Sequence, residues 1–272
     1  MKYFEIRSDL PEDENRIYGI VIYNDKKDEY IVELPEDLTY EEAPILLDRE
    51  IQRGYRTVGP EVARLWIEQR VVPSDRQNIY SILKKAKLDE YDEFELLKIA
   101  DGRCAQDDYY LKPIPANSMP IDIVQRLQKR IRDYVLLPDL MILVFFENGE
   151  TKLCDLTELQ ELYFWIKYLT ISDNYYYSIH LITCGYGIAW DERRQISCEE
   201  LYDIGRSQEV NYEMFKTFVD QRTISTSDIC ESLNCSRQNI NDLIKRDRLH
   251  PIKNLERTKL FLKADIDKHL EK

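Results

Sequence analysis

The last fifty residues constrain this chain more than any other feature. From Arg222 they read RTISTSDICESLNCSRQNINDLIKRDRLHPIKNLERTKLFLKADIDKHLEK. The spacing of capping residues and apolar positions leaves room for two short helices and one tight turn. Thr226 or Ser227 is suited to cap a first helix, Asp228 to Leu233, with Ile229 and Leu233 on one face. Asn234-Cys235 then supplies the turn, because asparagine tolerates left-handed backbone better than other non-glycine residues. Ser236 is placed to cap a second helix, Arg237 to Arg246, whose buried stripe would be Ile240, Leu243 and Ile244. Its other faces carry Arg237, Gln238, Asn239, Asn241 and Lys245. Amide and guanidinium groups of this kind pair bidentately with adenine and guanine edges. Beyond it, the apolar runs Leu249 to Ile252 and Thr258 to Leu262 flank residues 253–257 as a hairpin would. Lys263 to Leu270 reads as a closing helix.

This order of elements resembles the small winged helix-turn-helix of excisionase and MerR-type regulators, over about a fifth of the chain. In that family the second helix enters the major groove of DNA and the wing touches the backbone. The resemblance implies double-stranded DNA as a partner. It implies contacts from Arg237, Gln238, Asn239, Asn241 and Lys245 on the helix, and from Lys253, Arg257 and Lys259 on the wing. Two departures stand out. Asn234 replaces the usual turn glycine, and Asp242 and Glu256 put acids on surfaces that would face phosphate. The competing expectation is a helical module that docks protein through a solvated polar face.

Charge sharpens the choice. The 272 residues carry a net charge of −13, which argues against a protein coated in nucleic acid. Residues 222–272 hold eleven Lys and Arg against eight Asp and Glu, a balance of +3, so the other 221 residues carry −16. A mildly basic tail on an acidic body fits a site-selective DNA binder, because the body repels phosphate. It equally fits an acidic body that binds another protein. Hydrophobic content of 43% with 33% charged residues indicates globular units, and the length allows two or three. No run approaches membrane-spanning length. Met1-Lys2-Tyr3-Phe4-Glu5 lacks the apolar stretch of a signal peptide, so a cytoplasmic location is expected. The six cysteines form no C-x-x-C pair, and no histidine lies at zinc-ligand spacing from them. Reduced thiols, no metal and no cofactor are the expectation.

An α+β chain in three units follows from the punctuation. Lys112 to Pro120 holds three prolines in nine residues and reads as an extended linker. Residues 205–211 are polar and aperiodic, a second break. The units expected are an N-terminal β-hairpin plus helices (1–112), a small α+β sheet domain (121–206) and the winged module (220–272). In the first, Tyr18 to Tyr23 and Glu29 to Leu34 flank a turn as a hairpin. Helical periodicity follows over Pro44 to Gly54, Glu61 to Arg70 with Val62, Leu65 and Trp66 inward, and Asp75 to Ala86 with Ile79, Ile82 and Leu83 inward. It returns over Asp92 to Ala100 with Phe94, Leu97 and Ile99 inward. In the second unit, Leu140 to Phe146 and Thr151 to Leu156 flank Asn148-Gly149, the strongest short hairpin signal. Glu158 to Leu169 is expected as a helix with Leu159, Leu162, Tyr163 and Ile166 inward. Tyr175 to Cys184 and Gly187 to Asp191 are expected as strands.

Two further resemblances accompany these patterns. Leu65 to Pro73 with Arg76 and Asn78, then Gly102 to Tyr110, is similar to a module of Firmicutes proteins, some attached to HipA-like toxin–antitoxin kinases. No phosphate-cradling glycine loop or kinase aspartate motif follows, so kinase activity is not implied. The strand-Asn-Gly-Glu-strand hairpin, Asp155-Leu156, Gly187 to Glu192 and Ile196 to Tyr202 resemble a small cytosolic domain family without assigned chemistry. Its members sit beside helix-turn-helix genes or domains.

No catalytic motif emerges: G-x-S-x-G, P-loop, G-x-G-x-x-G and H-E-x-x-H are all absent. Asp107-Asp108 and Trp190-Asp191-Glu192 are acidic but read more simply as turns. The expectation is therefore a non-enzymatic DNA-binding transcriptional regulator of toxin–antitoxin or mobile-element type. Its acidic units would form a homodimer or bind a protein partner, with residues 121–206 the favoured surface through Phe164, Trp165 and Tyr175-Tyr176-Tyr177. The alternative is an interaction adaptor or structural subunit whose helix-turn-helix docks protein.

Overall fold

The computed structural model describes the backbone of residues 1–171, 173–255 and 258–271; the side chains of residues 170–174, 268 and 270–272 fall outside that description. The chain is a mixed α+β protein with four small antiparallel sheets in distinct sequence blocks. It divides into two compact units, Met1–Val124 and Gln125–Lys272.

The first unit is built on β1 (Lys2–Ser8), β2 (Gly19–Asn24), β3 (Glu29–Glu33), β4 (Thr57–Val58) and β5 (Tyr109–Ile114) in the order β4-β3-β2-β1-β5. The hairpin expected at residues 18–34 is β2–β3. The strand beside it, β1, gave no strong sequence signal, yet it pairs with both β2 and β5. The proline stretch is not a linker from Lys112: Lys112, Pro113 and Ile114 pair with Glu5, Phe4 and Tyr3. Proline is tolerated there because β5 is an edge strand whose missing N–H costs no ladder bond.

Helices α1 (Asp48–Gln52), α2 (Pro60–Glu68), α3 (Ile79–Ala86) and α4 (Glu93–Ile99) complete the unit. Asp92 caps α4 by accepting the Glu95 amide at 2.9 Å. The inward faces differ from expectation at two positions. α2 buries Ala63, Trp66 and Ile67 while Leu65 is exposed, and α4 buries Phe94, Leu96 and Leu97 while Ile99 is exposed. Both helices are under three turns long, and residues one position apart lie about 100° apart around the axis. A small rotation therefore exchanges neighbours between core and water. The two strings that carry the Firmicutes-module resemblance meet at one place. The buried Arg70 guanidinium stacks on Trp66 at 3.6 Å, binds Asp107 at 2.5 Å and donates to the Cys104 sulfur at 3.2 Å.

Helix α5 (Ile121–Gln128) contains the boundary, and the second unit starts within it at Gln125. Strands β6 (Ile131–Leu136), β7 (Met141–Phe146) and β8 (Thr151–Asp155) form the hairpins around the 140–146 run. Gly149 makes the β7–β8 turn at φ 87°, a conformation glycine adopts without strain. The helix expected at 158–169 is instead two 3₁₀ segments, Leu156–Leu159 and Phe164–Ile171, and Leu162 points to solvent. The strand expected at 175–184 is also corrected. Residues Asp173–Tyr176 form the short helix α6, and only His180–Leu181 extends, as β9. Tyr176 is buried and its hydroxyl donates to the Leu137 and Met141 carbonyls, 3.0 Å each, which fixes this segment against the β6–β7 turn.

β9 joins β10 (Gly187–Asp191) and β11 (Arg194–Ser197) in a second small sheet. Gly185, between β9 and β10, adopts φ 76°, where a Cβ would lie 2.1 Å from the Ile131 carbonyl oxygen. Ser197 starts α7 (Cys198–Ile204) with a reciprocal capping box to Glu200. Part of the stretch expected as a break is structured: β12 (Arg206–Ser207) adds an edge to β8.

Helix α8 (Tyr212–Arg222) was not legible as a periodic segment. It lies on the β6 side of the sheet order β12-β8-β7-β6. The Gln221 side-chain amide donates to the Leu136 carbonyl at 2.8 Å and accepts the Leu136 N–H at 2.9 Å, as a neighbouring strand would. Arg222 donates to the buried Asp133 carboxylate at 2.5 Å and lies 4.5 Å over the Tyr134 ring. Phe218 meets Phe145 edge-on at 5.4 Å.

From there the chain forms β13 (Thr223–Ser225), α9 (Thr226–Ser232), α10 (Arg237–Lys245), β14 (Lys253–Asn254), β15 (Lys259–Leu262) and α11 (Lys263–Glu271). The sheet order is β13-β15-β14. Ile229, Ile240, Leu249, Phe261 and Ile266 form its own buried core. The expected cap at Thr226 or Ser227 is corrected to Ser225, which shares a capping box with Asp228. Thr226 is buried instead, accepting the Lys259 N–H at 3.1 Å and donating to the Lys259 carbonyl at 3.3 Å.

Candidate nucleic-acid interface

The two helices α9 and α10 are held by their ends. Asn234 adopts φ 45°, the Cys235 N–H reaches the Cys230 carbonyl at 3.0 Å, and the Asn234 N–H reaches the Glu231 carbonyl at 3.2 Å. That pair of bonds is a Schellman closure, which satisfies the last carbonyls of α9 and reverses the chain. Ser236 then accepts the Asn239 N–H at 3.2 Å and starts α10. The same closure ends α10 at Asp247, φ 57°, with Arg248 N–H to Leu243 carbonyl at 2.9 Å. Neither turn uses glycine.

Ile240 is fully buried, and Leu243 and Ile244 pack against the same core. The helical period therefore turns Gln238, Asp242 and Lys245 outward at i, i+4 and i+7, with Asn241 on one flank of that ridge. Arg237, Gln238, Asn239, Asn241 and Lys245 are all exposed. Arg237 leans back toward α9, donating to the Ser227 hydroxyl at 2.8 Å. From the third strand of the small sheet, the Lys259 ammonium donates to the Asn241 side-chain oxygen at 2.9 Å. That bond sets the Asn241 amide with its NH₂ directed away from Lys259, a donor free for a base or phosphate acceptor. Lys253 is exposed on β14, while Arg257 and Glu256 lie outside the described residues.

Sequence reasoning missed Arg246 and Arg248, both exposed just past α10. The alternation of basic residues across a helix end was the available signal. Acids temper the surface: Asp242 lies 3.9 Å from Lys245, and Asp247 lies 3.6 Å from His250. The face therefore offers amide, guanidinium and ammonium donors along a helix about 13 Å long, with modest net positive charge. An α-helix with its side chains is about 10–12 Å across, which the major groove of B-DNA, about 12 Å wide, admits.

Elsewhere the polar clusters serve the fold. Asp107 is taken by Arg70, and Asp191 accepts the Arg193 and Arg194 amides and the Tyr175 hydroxyl. Of the residues expected to mediate association, Trp165 packs edge-on to Trp190 at 5.1 Å, whereas Phe164 and Tyr177 are exposed. The first unit holds a groove of about 540 Å³ whose walls include Phe4, Leu97, Leu111 and Pro113, with Lys2 and Lys98 also lining it. Among the described residues no three His, Cys, Asp or Glu side chains gather as metal ligands, and no helix is long and apolar enough to cross a membrane. Compared with family models, with curated proteins and with solved structures, the chain matches none.

Proposed function

We propose that this protein is a DNA-binding regulator that reads duplex DNA through α10 of a C-terminal winged helix-turn-helix. The observation that carries the reading is the outward ridge of α10. A capped, well-packed helix presents the base-reading side chains Gln238, Arg237 and Asn241 with Lys245 to solvent, and Asp242, 3.9 Å from Lys245, is the one acid among them. Gln238 and Asn241 are the side chains that read adenine, and Arg237 reads guanine once it leaves Ser227. Lys253 and Lys259, with Arg257 by family position, would hold phosphate from the wing, joined by Arg246 and Arg248. The activity proposed is binding without catalysis, in the cytoplasm, within a toxin–antitoxin or mobile-element setting as the resemblances imply.

One module spans a short half-site, so useful selectivity calls for two modules or a partner protein. The acidic remainder, −16 over 221 residues, restricts phosphate contact to the tail and also favours the second reading, an adaptor that docks protein.

Selection of the full chain against a random duplex pool tests the proposal. An enriched motif is expected, with affinity falling as salt rises. Arg237→Ala should lose about 1–3 kcal/mol at that motif and relax preference at one base position. No enrichment together with salt-independent retention would remove DNA and leave the adaptor.

A further inference from the structure

Two half-buried cysteines stand at the ends of the turn that joins α9 to α10. Cys230 lies in α9, and Cys235 directly precedes the Ser236 cap of α10. The Cys235 N–H donates to the Cys230 carbonyl at 3.0 Å. The Cα–C=O segment spans about 2.4 Å and the N–Cα bond about 1.5 Å, so the two α-carbons lie within about 7 Å of each other. Both side chains pack against the same small core of Ile229, Ile240, Leu249, Phe261 and Ile266, so both leave the backbone toward one side. Cysteines within that limit, directed to one side, are those a disulfide can join. The thiols are also neighbours: burial, and then the charge of and hydrogen bond to Cys230, push the Cys235 thiol above its ordinary range. The turn itself does not need them, because Asn234 and the two backbone bonds already close it.

We propose that Cys230 and Cys235 form a dithiol redox site, in which oxidation joins their sulfurs in a disulfide across the α9–α10 turn and reduction reopens it. The oxidant is a small-molecule disulfide such as glutathione disulfide. One cysteine thiolate attacks a sulfur of that oxidant and expels one glutathione thiolate. The other cysteine thiolate attacks the mixed disulfide at the protein sulfur and expels the second. The two cysteines lose two protons and two electrons, which leave as two glutathione thiols. The second step closes a loop that the turn has already formed, so it costs little chain entropy and outruns a second glutathione addition.

The bridge acts on the helix that follows. A disulfide holds its sulfurs about 2.05 Å apart, well inside the contact distance of two thiols, so closing it draws Cys235 toward α9. Ser236, Arg237 and Gln238 follow Cys235 directly, and they are the first residues to shift. Oxidation therefore moves the side chains assigned to base reading, a consequence that rests on the DNA-binding reading above. The bridge itself does not depend on that reading.

The test equilibrates the native full-length protein with excess glutathione disulfide, quenches with acid, blocks remaining thiols and maps the peptides by mass. The tryptic peptide of residues 223–237 carries both cysteines, so the bridge shows as that peptide lacking two hydrogen atoms. It is expected to dominate in the wild-type protein. Cys230→Ser should leave Cys235 carrying one glutathione, and Cys235→Ser should leave Cys230 carrying one. A wild-type peptide recovered with two glutathiones or with two free thiols overturns the proposal. At an enriched duplex motif, oxidation should weaken binding at least about fivefold, the smallest loss expected for one bidentate base contact, and reductant should restore it. Cys230→Ser should bind the motif equally with and without oxidant. A bridged protein that binds the motif as tightly as the reduced one overturns the control of α10, and the absence of any motif removes the DNA reading while the mass result stands.

Discussion

Replacing Arg222 with Met should cost the second unit about 3 kcal/mol at neutral pH. The Asp133 side chain is 6% exposed and that of Arg222 10%, so water cannot take over the lost partner. Asp133 Oδ1 receives both the Arg222 guanidinium at 2.5 Å and the Tyr134 N–H at 2.9 Å. Its Oδ2 is buried with no hydrogen bond. Removing Arg222 leaves a buried carboxylate with one donor, the situation in which truncating an ion pair costs about 3–5 kcal/mol. The lower end applies because burial already pushes the Asp133 carboxyl above its ordinary range against the pull of Arg222. Without Arg222 that upward shift grows, and protonation caps the loss.

The sign with pH follows from linkage. A carboxyl whose folded pKa lies above its unfolded value stabilises relative to the charged state only while protonated, and that contribution is lost as pH rises through the folded pKa. The penalty of Arg222→Met is therefore small near pH 4 and full at pH 7. Asp133→Asn with Arg222→Met removes the stranded charge and should recover most of the loss. The assay is urea unfolding followed by tryptophan fluorescence, since Trp165 and Trp190 both lie in this unit. With a slope near 2 kcal/mol/M, about 3 kcal/mol moves the midpoint by about 1.5 M. A loss under about 1 kcal/mol, an equal loss at pH 4 and pH 7, or a double variant no better than the single would refute the reasoning.

Two other perturbations follow from local chemistry. Ser225→Ala breaks the capping box with Asp228 and should cost about 1 kcal/mol, read as a lower thermal midpoint; no change would mean the Thr226–Lys259 bonds alone fix the start of α9. Burial pushes the Cys154 thiol up to about 12, so brief alkylation of the native protein at pH 8 should spare it while labelling half-exposed Cys104 and Cys184, as mass spectrometry of peptides would show.

Local chemistry carried much of the C-terminal block into the sequence. Ser236, Asn234 and the stripe Ile240, Leu243, Ile244 act through hydrogen bonds and contacts spanning a few residues, so they read directly from spacing. The Asn148-Gly149 turn and the β2–β3 hairpin were legible for the same reason. The elements that escaped are those whose stability comes from distant partners. β1 is a strand because β2 and β5 flank it, and β5 absorbs Pro113 because it is the edge strand of its sheet, with no outer partner among the described residues. Tyr175 to Cys184 has strand-like composition, but Tyr176 is drawn into the core by carbonyls near residue 140. Helix α8 has apolar residues on two faces, which blurs its period; one face belongs to the β6–β7 sheet and the other to solvent. The sequence by itself determined which side chains the tail offers. The tertiary structure decided that Asn241 is oriented by Lys259, that Arg237 rests on Ser227, and that α8 ties the tail to the sheet through Arg222 and Asp133. Those contacts join residues 10, 18 and 89 positions apart, and no local periodicity records them.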